Sequence, residues 1–220
     1  MAEVSREERE RPDGPHHEPH VVLDAKGLRA MAHPVRVQLV GLLRTYGPST
    51  ATRLAERLGL GSGVTSYHLR QLGTAGFVEE DADRGNARER WWRAVHQSTW
   101  LTDMDLADRE HEAAAAYGRS VADSHAQRAR RTLDALEVMP RSWRHNLDLS
   151  DWSLRLTPEE AASLGEELRA VVNRYRRDAP EARSDAPEGA ERVVLITHIL
   201  PDVDAVAGPD AAAEPAGETP

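Results

Sequence analysis

The side chains best suited to chemistry lie between Ser62 and Thr74, and their types point to recognition rather than to bond breaking. Thr65, Leu69 and Leu72 recur at i, i+4 and i+7 with His68 beside them, the spacing that stacks side chains on one face of a 3.6-residue helix. The opposite face then carries Ser62, Gly63, Ser66, Tyr67, Arg70 and Gln71. These are small or hydrogen-bonding residues, unlike the Glu and Lys mixture of an ordinary solvated helix. Such a face can reach base edges and phosphates. Arg70 is the residue whose planar fork matches O6 and N7 of a guanine, and Ser62, Ser66, Tyr67 and Gln71 complete the expected base-reading set.

The flanking elements position that helix. Ser49 or Thr50 caps a preceding helix through Ala51, Leu54, Ala55 and Leu58, and Gly59 supplies a left-handed stop. Two short helices thus meet across Gly59-Leu60-Gly61, a helix-turn-helix pattern whose second helix enters a major groove. Gly76 ends that helix, Phe77 and Val78 open a strand, Asp83 to Asn86 turn, and Arg88 to Val95 return with alternating faces. A hairpin in this place is a wing. Arg84, Asn86, Arg88 and Arg90 are its candidates for phosphate contact, each also readable as part of a solvated strand face. The neighbouring Glu79, Glu80, Asp81 and Asp83 are expected to point away from the duplex. Trp91 and Trp92 must face opposite sides of the hairpin, one in the core and the other over the following helix or a partner subunit.

Four pieces in this order, AHPVR at 32–36, ATRLAERLG at 51–59, SYHLRQLGTAGFVEE at 66–80 and RERWW at 88–92, resemble the winged-helix transcriptional regulators of the arsenical-resistance repressor type, ArsR-like. The likeness covers about residues 23–100, under half of the chain. It implies a homodimer that binds a double-stranded operator and represses or activates transcription. It also implies a phosphate contact at Arg36, which by its residues alone reads equally well as a surface arginine.

The formal charge of −9 at first argues against a nucleic-acid partner. It is unevenly spread. Residues 21–99 hold eleven Lys and Arg against seven acids, whereas residues 100–220 hold fourteen Arg against twenty-four acids. The basic excess sits on the proposed reader, and distant acids are screened beyond roughly 8 to 10 Å. Without cysteine there is neither a disulfide framework nor a thiolate metal site. No apolar leader opens the chain and no run approaches the roughly 18 apolar residues of a membrane helix, so a cytoplasmic protein is expected. No HExxH, phosphate-binding loop, GxSxG or cysteine nucleophile is present, so no enzyme is expected and nothing calls for a cofactor.

The expected fold is mainly α with small β elements. A polar tail at 1–20 precedes the winged helix-turn-helix domain at 21–100, then come a long helix at 101–140, a small β-α-β unit at 141–202 and a second polar tail at 203–220. His16, His17 and His20 in the first tail have an HHxxH arrangement but no frame to fix a metal, so a flexible His-rich tail is the better reading. Asp24 caps a short helix holding Leu28 and Met31, and Pro34 starts a second one whose apolar face is Val37, Leu39, Val40, Leu42 and Leu43. Residues 103 to about 138 read as one helix with the narrow stripe Tyr117, Val121, Leu133 and Leu136, the expected dimer interface. Asp123 and His125, with Asp108, His111 and Glu112 earlier, have metal-like spacing, but no second paired histidine follows and a polar surface is the better reading. In the last unit, strands at Trp152 to Leu156 and Val193 to Leu200 flank a helix opened by a Thr157 to Glu160 capping box. A small-molecule effector is compatible with that unit, although no convergent polar set marks a pocket. The alternative is a winged helix that binds another protein and no DNA.

Overall fold

The structure, a computed structural model, describes residues 20–84, 89–175, 178 and 186–203. They divide into two compact units, the first ending at Leu147 and the second beginning at Asp148.

In the first unit, caps read from the sequence set the helix starts. The Asp24 carboxylate accepts from the Gly27 N–H at 2.6 Å and opens α1 (Ala25–Met31). Pro34 begins α2 (Pro34–Tyr46), where His33 is the cap and its Nδ1 accepts from the Val35 N–H at 3.2 Å. Gly47, at φ 79°, ends α2 in a conformation open to glycine. All five apolar residues assigned to the face of α2 are buried, each contributing roughly 1.5 to 3 kcal/mol by burial. They join Leu28, Met31, Leu54, Leu69, Leu72, Phe77, Val78, Trp92 and Leu106 in one core.

A three-stranded antiparallel sheet closes one side of this core in the order β2 (Ser49–Thr50), β4 (Trp91–Ala94), β3 (Val78–Glu80). Trp92 enters the core, while Trp91 lies on the other face beneath the Arg53 guanidinium, 4.9 Å from its ring centroid. Within the chain it therefore lies against the first helix of the helix-turn-helix rather than over the long helix. Three strands were not anticipated: β2, whose Ser49 and Thr50 were expected only as a helix cap, and two that pair with each other. β1 (His20–Val22) pairs in parallel with β5 (Ser98–Trp100), so His20 belongs to the folded unit rather than to the tail; His16 and His17 lie outside the described residues.

The long helix is two helices. α5 (Met104–Arg109) and α6 (His111–Asp134) meet at Glu110, whose backbone leaves helical geometry at φ −110° and ψ 41°. Its carboxylate is held by Arg29 of α1 through Nε at 2.9 Å and Nη2 at 2.5 Å. A glutamate is a good helix former, so nothing local announces the break, which coincides with this contact across 81 residues. α6 then crosses α1 and α2 with Ala113, Ala114, Tyr117 and Val121 against the core, and a short α7 (Arg141–Arg144) follows. Tyr117 packs beside Arg44, whose Nε donates to the His96 carbonyl and Nη2 to the Thr99 hydroxyl, both at 2.7 Å. Burial pulls the Arg44 pKa down to about 10 and pushes the Tyr117 phenol up.

The second unit keeps its expected helix and loses its expected strands. α8 (Pro158–Val172) has the full capping box: the Glu160 N–H donates to the Thr157 hydroxyl at 3.2 Å, and the Thr157 N–H to the Glu160 carboxylate at 2.8 Å. Neither Trp152 to Leu156 nor Val193 to Leu200 pairs in a ladder, so there is no β-α-β unit among the described residues. Alternating apolar residues define a face, but a strand also needs a neighbouring backbone to take its hydrogen bonds. Trp152, Leu154, Val193 and Leu195 stay exposed.

Candidate nucleic-acid interface

Thr50 caps α3 (Ala51–Leu58), its hydroxyl accepting from the Arg53 N–H at 3.4 Å. Gly59 follows at φ 66° and ψ 33°, the left-handed conformation that stops the helix and turns the chain within two residues. α4 (Ser62–Thr74) then starts and packs across α3. Its buried side is Thr65, His68, Leu69 and Leu72, the four residues that the 3.6-residue period placed there.

Turned outward are Ser62, Gly63, Val64, Tyr67, Arg70 and Gln71, with Ser66 half-buried at the edge. Tyr67 and Val64 are each about half exposed, at 53 % and 51 %. No carboxylate occurs between Ser62 and Thr74, so the face carries no negative side chain to repel a polyanion. At the far end of α4, Lys26 donates to the Thr74 carbonyl at 2.7 Å, which fixes the C-terminal turn against α1. Gly73 leaves room for Trp92: a Cβ there would stand 3.3 Å from the indole, so the helix sits close on the wing strand.

Arg36 lies near Tyr67 at the start of α2, its Nη2 donating to the Arg29 carbonyl at 3.3 Å. Its Nε is buried without a partner, and burial lowers its pKa. The wing differs from expectation in its acids. Glu79 and Glu80 do not merely point away: Glu79 pairs with Arg93 at 2.6 Å, Glu80 with Arg90 at 2.9 Å, and Asp81 with Arg84 at 3.3 Å. The register Glu79↔Arg93 puts the first pair directly across β3 and β4, where opposite charges attract. Asn86 and Arg88 lie outside the described residues. Sequence reasoning passed over Arg53 and Arg57, which stand one turn apart on α3 and lie over Trp91 and Tyr46, at 4.9 and 4.2 Å. Their i, i+4 spacing opposite Leu54 and Ala55 was the signal that could have found them.

Of the expected dimer stripe, Tyr117 and Val121 are partly buried against the core. Leu133 is 39 % exposed and Leu136 half-buried beyond the end of α6.

A protein family described as a helix-turn-helix domain matches residues 31–81, the span from the end of α1 through β3. Residues 31–81 are a helix-turn-helix domain. Among solved structures, the chain is similar to the homodimeric winged helix-turn-helix DNA-binding domain of a possible ArsR-family transcriptional regulator of Mycobacterium bovis, at 24 % identity, 47 % of this chain, 81 % of that one and a TM-score of 0.29. It is also similar to ZitR of Lactococcus lactis in apo form, at 16 % identity, 66 % and 84 % coverage and a TM-score of 0.28. A transcriptional regulator of Thermotoga maritima follows at 11 % identity, 54 % and 80 % coverage and a TM-score of 0.27. No curated protein matches the sequence. In this helix-turn-helix domain α3 is the first helix and α4 the second. The β3–β4 hairpin that follows is continuous with it through Phe77, whose N–H donates to the Leu72 carbonyl and whose carbonyl accepts from the Val95 N–H. Among the described residues, no helix is long and apolar enough to cross a membrane.

Proposed function

We propose that the protein is a dimeric, sequence-specific DNA-binding transcriptional regulator that reads the major groove with α4. One observation carries this reading: the outward face of α4 is exposed, hydrogen-bonding and without acids, on a helix seated across α3 in a helix-turn-helix domain. Ser62, Ser66, Tyr67, Arg70 and Gln71 contact bases, with Arg70 on guanine O6 and N7. Arg36, Arg84, Asn86, Arg88 and Arg90 contact phosphates and set the register. For the described members of the wing this requires the arginines to exchange their carboxylates for phosphates when DNA binds.

The homodimer uses the end of α6 and the turn after it. α6 has 24 residues and is about 36 Å long, and its first three turns are those that pack on the core. Leu133 and Leu136 lie beyond them, where a second copy of the chain can cover them and set two recognition helices about 34 Å apart.

Selection of bound fragments from random duplex DNA, followed by gel shift at two salt concentrations, tests the function. Enrichment of a two-fold symmetric site, with affinity falling steeply as salt rises, is the expected result. No enrichment, or binding indifferent to salt, overturns it in favour of a winged helix that docks on another protein.

A further inference from the structure

We infer that His68, packed against His33 and beside Arg36 midway along α4, is a positioning residue that takes up a proton when DNA binds. The inference rests on the reading of α4 as a DNA-reading helix. The two imidazole centroids are 4.4 Å apart at 47°, and His68 is only 7 % exposed although it belongs to the helix that carries the base-reading face. Its Nδ1 is buried without a hydrogen-bond partner, and so is Arg36 Nε. A buried polar nitrogen left unpaired costs free energy, so two of them in one cluster mark a place that is incomplete in the free protein.

No acid completes it among the described residues. His68 is faced by His33 and Arg36 from α2 and by Tyr67 on its own helix, 5.3 Å away and edge-on. α3 and β3, which also pack on α4, bring the apolar Leu54, Ala55 and Val78, and no charged group of theirs acts on the ring. Burial, His33 and Arg36 together hold the His68 pKa below its ordinary value of 6.5. His33 is held neutral in addition by its bond, because its Nδ1 accepts from the Val35 N–H. Protonating that nitrogen would set donor against donor and uncap α2. The proton therefore goes to His68, whose Nδ1 is vacant.

A phosphodiester drawn to Arg36 changes this balance. It brings negative charge to a cluster on which no acid of the described residues acts, and the imidazolium form of His68 is stabilised. The pKa, lowered in the free protein, is raised in the complex. Binding thus takes up a proton, and affinity rises as pH falls from the bound-state value to the free-state value. His68 acts through the charge it places beneath Arg36 and touches no base itself.

The test uses the full chain and the duplex recovered by selection or, if none is enriched, a mixed-sequence duplex of about 30 base pairs, three helical turns. Affinity is measured by fluorescence anisotropy at constant ionic strength from about pH 8 to about pH 5.5, the histidine range. The expected rise is between about threefold and the tenfold per pH unit that one proton allows. Calorimetry in two buffers of different ionisation enthalpy reads the proton directly. His68→Gln should flatten the profile, and His96→Gln, on the Arg44 side of the core, should retain it. Because His68→Gln could unfold α4, the ring of His68 is also titrated by NMR in the unmodified protein, free and bound, with a higher midpoint expected in the complex. An equal midpoint in the two states, or an unchanged slope in a folded His68→Gln variant, overturns the inference. Absence of DNA binding at every pH in low salt would instead remove the underlying reading of α4, whereas binding without a pH slope removes only the role of His68.

Discussion

Glu80→Gln asks whether the wing meets phosphates. Arg90 Nη1 and Glu80 Oε1 are 2.9 Å apart, with the side chains 69 % and 49 % exposed. At that exposure the pair sits in a medium close to water, where an ion pair contributes roughly 0.2 to 1 kcal/mol to stability. The substitution should therefore leave the melting temperature nearly unchanged. Its effect on DNA should be larger. It removes one negative charge and leaves Arg90 free to neutralise a phosphate, and each phosphate gained steepens the plot of log K against log salt by about 0.9. Between 50 and 200 mM salt that slope adds about a 3.5-fold loss of affinity, with tighter binding at the low-salt end. Fluorescence anisotropy at four or five salt concentrations resolves a change of this size. Glu166→Gln on α8, with the same change in net charge in the other unit, is the control. A Glu80→Gln slope equal to that of the unmodified protein or of the control would refute the wing as a phosphate clamp, and Glu79→Gln, which frees Arg93, should agree with it.

Arg70→Ala should lower affinity by about 1 to 3 kcal/mol and relax one base position in a selection profile; a uniform loss over all sequences would remove Arg70 from base readout. Phe77→Ala should destabilise the first unit by about 3 to 5 kcal/mol in urea unfolding, because the ring is 1 % exposed in the core between α4 and the wing. Leu133→Asp with Leu136→Asp should convert a dimer to a monomer in sedimentation without a change in far-UV circular dichroism; a dimer unaffected by both would move the interface elsewhere.

The helix-turn-helix was legible because its information is local. Thr50, Gly59, Gly61, Gly76 and the apolar period of α4 each act within one or two turns of chain, through caps, left-handed turns and one-sided burial. The same local rules found Asp24, Pro34 and the Thr157 box. They also found the polar face of α4, since a helix that buries one side must turn the other outward.

What the residues could not announce was decided by contacts between distant parts of the chain. The helix breaks at Glu110, where Arg29 of α1 meets it, and His20 joins a strand because Trp100 and its neighbours offer an edge. Arg93 meets Glu79 because the hairpin register sets the two directly opposite one another. His68 meets His33 because α4 crosses α2 at that point. Conversely, Trp152 to Leu156 and Val193 to Leu200 have the composition of strands and form none, because alternation specifies which side of a strand is apolar and only a paired backbone supplies the hydrogen bonds. Short-range preferences thus determine elements and their faces, whereas charge pairing, helix breaks and strand partners wait for the tertiary fold, whose energy lies in contacts between residues far apart along the chain.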